Sequence, residues 1–236
     1  MTGTARERTL LEELSRDWKL TLGPELPGRL ACFVEARTAD GRDAVLKLSS
    51  PSARGADELA ALQAWAGDGA PLVLAADGRR GAVLLERILP GTVASNADPR
   101  EVAALLRRLH VSPLPGLPDL DTIVRRRLDR AVAEARANPA REAWAREALE
   151  RLATKAPPSA LLHGDFEERN LLRCSRRGLC AIDPLPCVGD PSYDAAYWAH
   201  ASGRPGRRAR FEAISAALDV EPAHLRDWCG VIAVHG

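Results

Sequence analysis

The spacing of apolar residues changes at Pro90-Gly91, and this switch constrains the fold more than any other feature of the chain. Ahead of it, after one helix, apolar residues come in short runs punctuated by Gly and Pro, the pattern of strands and turns. Leu10, Leu11, Leu14 and Trp18 at helical spacing predict the opening helix over residues 4–19. Residues 20–38 read as strand, turn, strand. Asp40-Gly41 marks a hairpin turn, and A-V-L-K-L (44–48) is the strand that follows it. Leu59, Leu62 and Trp65 predict a helix over 54–66, and L-V-L-A-A and A-V-L-L-E-R-I predict two strands around D-G-R-R-G. Beyond Pro90-Gly91 the period is helical to about residue 155, with a break near Asn138-Pro139. Short apolar segments at 159–163 and 179–183 then flank a polar loop, and the remainder reads as helix. The expected class is α+β: a small antiparallel sheet lobe over 1–89, a larger helical lobe over 90–236, and a ligand in the cleft between them.

Composition removes several functions. Lys and Arg number 33 against 32 Asp and Glu, a net charge of +1, and aromatic residues are 4% of the chain. A nucleic-acid partner is not expected from that balance. The five cysteines include no C-x-x-C pair, so neither a disulfide scaffold nor a structural zinc site is expected, and a reducing cytoplasm suits them. No apolar run reaches membrane-spanning length, and the charged N-terminus is unlike a signal peptide. The arginine run 125–127 reads as a solvated, salt-bridged helix face. Only Lys19, Lys47 and Lys155 are lysines, so Lys47 inside an apolar strand stands out; an edge-strand lysine facing water is the plain alternative.

The chemistry concentrates in L-L-H-G-D-F-E-E-R-N-L-L-R (161–173) and A-I-D-P (181–184). Two acids at strand ends, Asp165 and Asp183, with Asn170 between them, suit phosphoryl transfer. One carboxylate faces an attacking hydroxyl while the other, with the Asn, holds Mg²⁺ on nucleotide phosphates. That transition state is loose and highly charged, so positioning and charge neutralisation dominate its catalysis.

The set H-G-D-x4-N, I-D-P and G-D-P-S-Y-D-A-A (189–196) resembles the aminoglycoside phosphotransferase family, built on a protein-kinase-like two-lobe fold. The branch it is most similar to holds streptomycin 6-phosphotransferases and hydroxyurea phosphotransferases. The resemblance runs from about Trp18 to Trp228. It implies Asp165 as the catalytic aspartate with His163 shaping its loop, Asn170 and Asp183 as Mg²⁺ ligands, and Lys47 on the α- and β-phosphates of ATP. Glu58 is then the partner of Lys47, with Asp57 as its competitor. Gly28 falls in a phosphate-covering loop, L-P-G-R-L-A-C-F (26–33), that has a single glycine. Glu86, Arg87 and Ile88 fall in the hinge, 86–91, whose backbone reads adenine. The catalytic loop spans 163–170 and the metal loop 181–194, where Asp190 and Asp194 brace the loops, Asp190 equally as a helix cap. F-E-E-R (166–169) stands where the branch reads L-H-x-x, which puts Glu167 and Glu168 on the acceptor side. The sequence stops at W-C-G-V-I-A-V-H-G, where the branch carries a further helix or so; a truncated chain, a more open acceptor pocket and a degraded enzyme are the readings this leaves open. The implied activity is ATP-dependent phosphorylation of a hydroxyl on a small acceptor by a monomer or weak dimer. An aminoglycoside acceptor giving resistance comes first. A sugar, amino sugar or other metabolite, and a nucleotide-binding pseudokinase, are the alternatives.

Overall fold

The computed structural model describes residues 5–28, 31–134, 138–155, 157–201 and 207–235; Arg29 and Leu30 of the expected phosphate loop lie outside them. Helix α1 (Ala5–Asp17) leads into strands β1 (Thr21–Leu26), β2 (Cys32–Arg37) and β3 (Asp43–Leu48). Helix α2 (Ala53–Trp65), β4 (Val73–Asp77) and β5 (Ala82–Glu86) follow. The five strands form one antiparallel sheet in the order β1-β2-β3-β5-β4, with Phe33, Lys47 and Val83 in register across it. Alternation along β3 buries Ala44, Leu46 and Leu48 under α1, with Leu11, Leu14, Val34 and Leu84, and turns Lys47 to the opposite face. The strand is central, not an edge.

Helix α2 belongs to a different core. Ser52 caps its start by accepting from the Gly55 N–H at 3.2 Å. Its Ala61, Leu62 and Trp65 then pack with the helical part of the chain rather than with the sheet's core. Burying a side chain the size of Leu62 is worth about 1.5–3 kcal/mol. The Trp65 indole N–H donates to Leu109 O at 2.7 Å, and Gly69 O accepts from the Ala181 N–H at 2.8 Å. Gly69, at φ +86°, lies against Leu105 and Leu109, so a residue without Cβ both reaches this turn and fits it.

Beyond the hinge the structure departs from the sequence expectation. Pro90–Val93 is strand β6, not helix, and pairs with β8 (Leu171–Cys174), which pairs with β9 (Gly178–Ala181). The helix waits for its start signal: Asp98 and Glu101 form a reciprocal capping box around Pro99, and α3 runs Pro99–Leu109. Helices α4 (Leu120–Ala133) and α5 (Pro139–Thr154) follow, each opened by an Asp or Asn cap. The expected break at Asn138-Pro139 is the start of α5. Strand β7 (Ala160–Leu162) pairs with β10 (Cys187–Gly189), a strand where the sequence predicts helix. Helices α6 (Ser192–Ala201), α7 (Arg207–Leu218) and α8 (Pro222–His235) complete the chain.

In the 125–127 run, Arg125 pairs with Asp121 at 2.7 Å one turn away, as a solvated face predicts. Arg127 instead turns inward, donating to the Tyr193 hydroxyl at 2.9 Å.

Candidate active site

Strand β7 delivers His163-Gly164-Asp165 to the cleft. Gly164 has φ +75°, and a Cβ there would sit 2.0 Å from Leu185 O, so the turn requires glycine. Its shape is fixed from below by Asp194 on α6, fully buried, which accepts the N–H groups of His163 at 2.8 Å and Gly164 at 2.9 Å. His110 Nε2 adds a third contact to Asp194 at 3.1 Å. Burial alone would raise the Asp194 pKa, but the His110 contact, the imidazoles and the Gly164 amide outweigh it and hold the carboxyl below its ordinary value.

His163 lies inside the catalytic loop, in keeping with the expectation that it shapes the loop. The ring is fully buried, stacked at 15° to Trp65 and edge-on to Phe166. Nε2 faces Ile182 O at 3.0 Å and Nδ1 faces the Asp165 N–H at 3.4 Å, so the ring spans the loop as a neutral donor and acceptor. Desolvation lowers its pKa and keeps it neutral.

The Asp165 carboxylate accepts from Asn170 Nδ2 at 3.1 Å, and the same nitrogen holds Asp165 O at 2.8 Å. Asn170 closes a short 3₁₀ turn, Glu168–Asn170, and Ile182 N–H binds its carbonyl at 2.9 Å, which ties the metal loop to the catalytic loop. Asp183 follows in the left-handed region at φ +56°, a conformation Asp tolerates better than most residues. This aims its half-exposed carboxylate at Lys47, whose Nζ lies 3.1 Å from Asp183 Oδ1 and 2.6 Å from Glu58 Oε1. Lys47 is 7% exposed, which excludes a solvated edge lysine, and its carboxylate on α2 is Glu58 rather than Asp57. Burial raises the Glu58 pKa, with Lys47 opposing the shift.

The structure gives the remaining sequence-predicted residues these partners. Glu168 leaves the acceptor side: it accepts the Asn96 N–H at 3.0 Å and lies 3.6 Å from Arg210. Asp190 is buried beneath α6, capping the Ser192 N–H at 2.8 Å and binding His224 at 2.5 Å and Trp228 Nε1 at 2.6 Å. It ties α6 to α8 and does not line the cleft. The Glu86 side chain accepts from Arg177 at 2.6 Å, and Arg87 is clamped by Glu35 at 2.5 and 2.8 Å. The amides of Glu86 and Arg87 bind Leu72 O and Asp43 O, and among the described residues the Ile88 amide has no partner. Glu167 remains at the mouth of the site with Arg169 Nη2 at 2.9 Å, its pKa raised by burial and by Asp165. Gly28 lies so close to Ala31 O and the Phe33 ring that a Cβ would fall at 2.4 and 2.6 Å.

The sequence reading missed His110 and Arg169. The first stands at the end of L-L-R-R-L-H and reaches Asp194, and the second closes F-E-E-R beside Glu167. A cavity of about 230 Å³ beside Trp18, Asp40 and Arg42 lies on the α1 side of the sheet, away from these groups. No described helix is long and apolar enough to cross a membrane, and the cysteines are free thiols.

Residues 19–235 match the family described as aminoglycoside/hydroxyurea antibiotic resistance kinase. Streptomycin 6-kinase of Streptomyces griseus is 32% identical over 237 residues, 92% of this chain and 75% of that protein. Hydroxyurea phosphotransferase of Kitasatospora aureofaciens is 32% identical over 231 residues, 92% of this chain and 68% of that protein. The macrolide 2'-phosphotransferase of Brachybacterium faecium superimposes with a TM-score of 0.70 at 22% identity, over 97% of this chain and 89% of its own. That likeness shows the fold, the protein-kinase-like α+β arrangement of phosphotransferases.

Proposed function

The chain belongs to the aminoglycoside/hydroxyurea antibiotic resistance kinase family, and we propose that within it the protein is an ATP-dependent O-phosphotransferase acting on a hydroxyl of a streptomycin-like aminoglycoside. That it is a kinase follows from the family. One observation supports phosphoryl transfer: Lys47, Asp183, Asn170 and Asp165 converge from both sides of the cleft in a connected set of contacts, while similarity to streptomycin 6-kinases favours the acceptor.

The donor chemistry fits Mg²⁺. Asn170 commits its Nδ2 to Asp165, and among the described residues no donor reaches its Oδ1. Asp183 is half exposed. Two hard oxygen donors with water and phosphate at the remaining positions suit Mg²⁺ better than a three-acid cage, and no such cage forms among the described residues. When bound, the ion would neutralise charge on the phosphate oxygens.

Lys47 would hold the α- and β-phosphates, kept in place by Glu58. The Ile88 amide, unpartnered among the described residues, would read the adenine edge, and Gly28 would let the backbone close over the phosphates. Asp165, oriented by Asn170, would align the acceptor hydroxyl and accept its proton during direct in-line transfer. Glu167 is then the remaining acid on the acceptor side, where it would face a cationic amine or guanidinium. A metabolite alcohol is the second reading. It is favoured by the engagement of Glu168 with Arg210 and the Asn96 amide, which removes one carboxylate from the face a polycation would meet. Retention of all four site residues weighs against a pseudokinase. The protein would work in the cytoplasm, as a monomer or weak dimer.

The test is Mg²⁺-dependent ATP consumption against streptomycin, other aminoglycosides, hydroxyurea, glucosamine, simple sugars and choline. Turnover with streptomycin well above the ATPase background is expected. Turnover only with a sugar or other metabolite selects the second reading, and ATP binding without turnover on any acceptor overturns the first.

A further inference from the structure

The geometry points to Phe33 as a positioning residue for Lys47, its ring holding the ammonium in place for the nucleotide phosphates. The role rests on the reading of Lys47 as the phosphate contact. Phe33 on β2 stands directly opposite Lys47 on β3, so the two side chains leave the same face of the sheet. Lys47 Nζ lies 5.4 Å from the centroid of the Phe33 ring, within cation–π reach.

The other neighbours of the ammonium hold it in a different way. Val83 flanks Lys47 from β5, in register on its other side. Glu58 and Asp183 bind Nζ at 2.6 and 3.1 Å, and both belong to the part of the molecule across the cleft. A nucleotide phosphate would be a further anion, competing with those carboxylates for the one positive charge. The half-exposed Asp183, proposed for Mg²⁺, is the partner such competition reaches first. The ring does not compete. It is neutral, its face attracts the ammonium through the ring quadrupole, and the full charge stays available to phosphate. It also rides on the same sheet as Lys47, so its hold survives any change of carboxylate partner.

The same ring meets the phosphate-covering loop. A Cβ on Gly28 would fall 2.6 Å from Phe33 Cδ2, so the loop backbone lies directly on the ring. The single glycine of that loop stands where the chain crosses Phe33, which gives its position a steric reason. One side chain thus touches both the loop proposed to close over the phosphates and the cation proposed to hold them.

Fluorination separates the charge distribution of the ring from its shape. Mono-, di- and trifluorophenylalanine at position 33 drain electron density from the ring face and leave the packing almost intact. ATP affinity by calorimetry should weaken stepwise along that series. Phe33→Leu, which keeps an apolar side chain, should weaken it about tenfold, with kcat at saturating ATP nearly unchanged and Phe33→Tyr close to wild type. Affinity indifferent to fluorine overturns the proposal and leaves the ring as packing alone. So does a loss that Phe33→Tyr shares with Phe33→Leu. If the wild type binds no ATP, the reading of Lys47 as the phosphate contact fails on that control. Acetylation of Lys47 by acetic anhydride, followed by mass spectrometry, then decides the hold of Phe33 without nucleotide. Its rate should rise along the fluorinated series, and an unchanged rate overturns the proposal.

Discussion

The sheet with α1 and the helical part with α2 are two cores of different kinds, and the cleft lies where they meet. The first is a thin layer: Leu11 and Leu14 of α1 on Val34, Leu46 and Leu84. The second is deep, with Trp198, Tyr193, Phe166 and Leu106 almost wholly excluded from solvent. Glu58 rides on a helix packed into the second core, and Asp165, Asn170 and Asp183 stand on loops braced by it. Lys47 comes from the first, as does Gly28. The groups proposed for chemistry therefore share one body, and the group proposed for the nucleotide phosphates sits on the other.

The sharpest way to break that division is Asp165→Asn. Turnover should fall by about 10³-fold, within the range for a positioned base, with nucleotide affinity by calorimetry nearly unchanged. Equal losses in both would merge the two roles. Next come paired core truncations. Leu46→Ala and Leu106→Ala should each destabilise by about 3 kcal/mol. Scanning calorimetry should show a separate early transition only for Leu46→Ala; one shared transition in both would mean the cores unfold together.

Lys47→Met tests the bridge between the bodies. Stranding the buried Glu58 carboxylate should cost about 2 kcal/mol, most of it recovered when Glu58→Gln is added. The raised Glu58 pKa sets the sign of the pH effect. The folded state holds that proton more tightly than the unfolded one, so this group's contribution declines as pH rises from its ordinary 4.5 through the folded value. Chemical denaturation of both variants across that window measures it.

The smallest effect belongs to His163. Its folded pKa is lowered by burial, so the unfolded chain takes up a proton first as pH falls through the ordinary 6.5. Its share of stability is complete above that point and declines below it. Replacing it with Asn should flatten the denaturation midpoint between pH 7 and 5; an unchanged slope would assign the acid sensitivity elsewhere.

What was legible in the sequence follows the range of the interactions. The five strands of the large sheet were readable because alternation and turns such as Asp40-Gly41 are local signals. Strands β6 and β10 were not, because Pro90 finds its partner in Cys174 and Gly189 in Ala160. The motif brought Asp165, Asn170 and Asp183 together correctly in space. It could not say where each side chain points: Glu168 swings to Arg210, Asp190 to His224 and Trp228, and His163 into the core, all set by tertiary neighbours. Lys47 was singled out by its rarity and its apolar neighbours, and it stands buried on a central strand.

The path of the chain at α2 has a consequence for motion. After Leu48 it leaves the sheet for the other core, returns at Val73 and leaves again after Glu86. A protein whose halves share one linker can swivel freely about it. Here three covalent crossings stitch the halves together, and Trp65, wedged beside Leu109, anchors the middle stitch. Opening of the cleft is thereby confined to a shallow rocking of the sheet, and a nucleotide bound as proposed would leave through the gap that rocking provides.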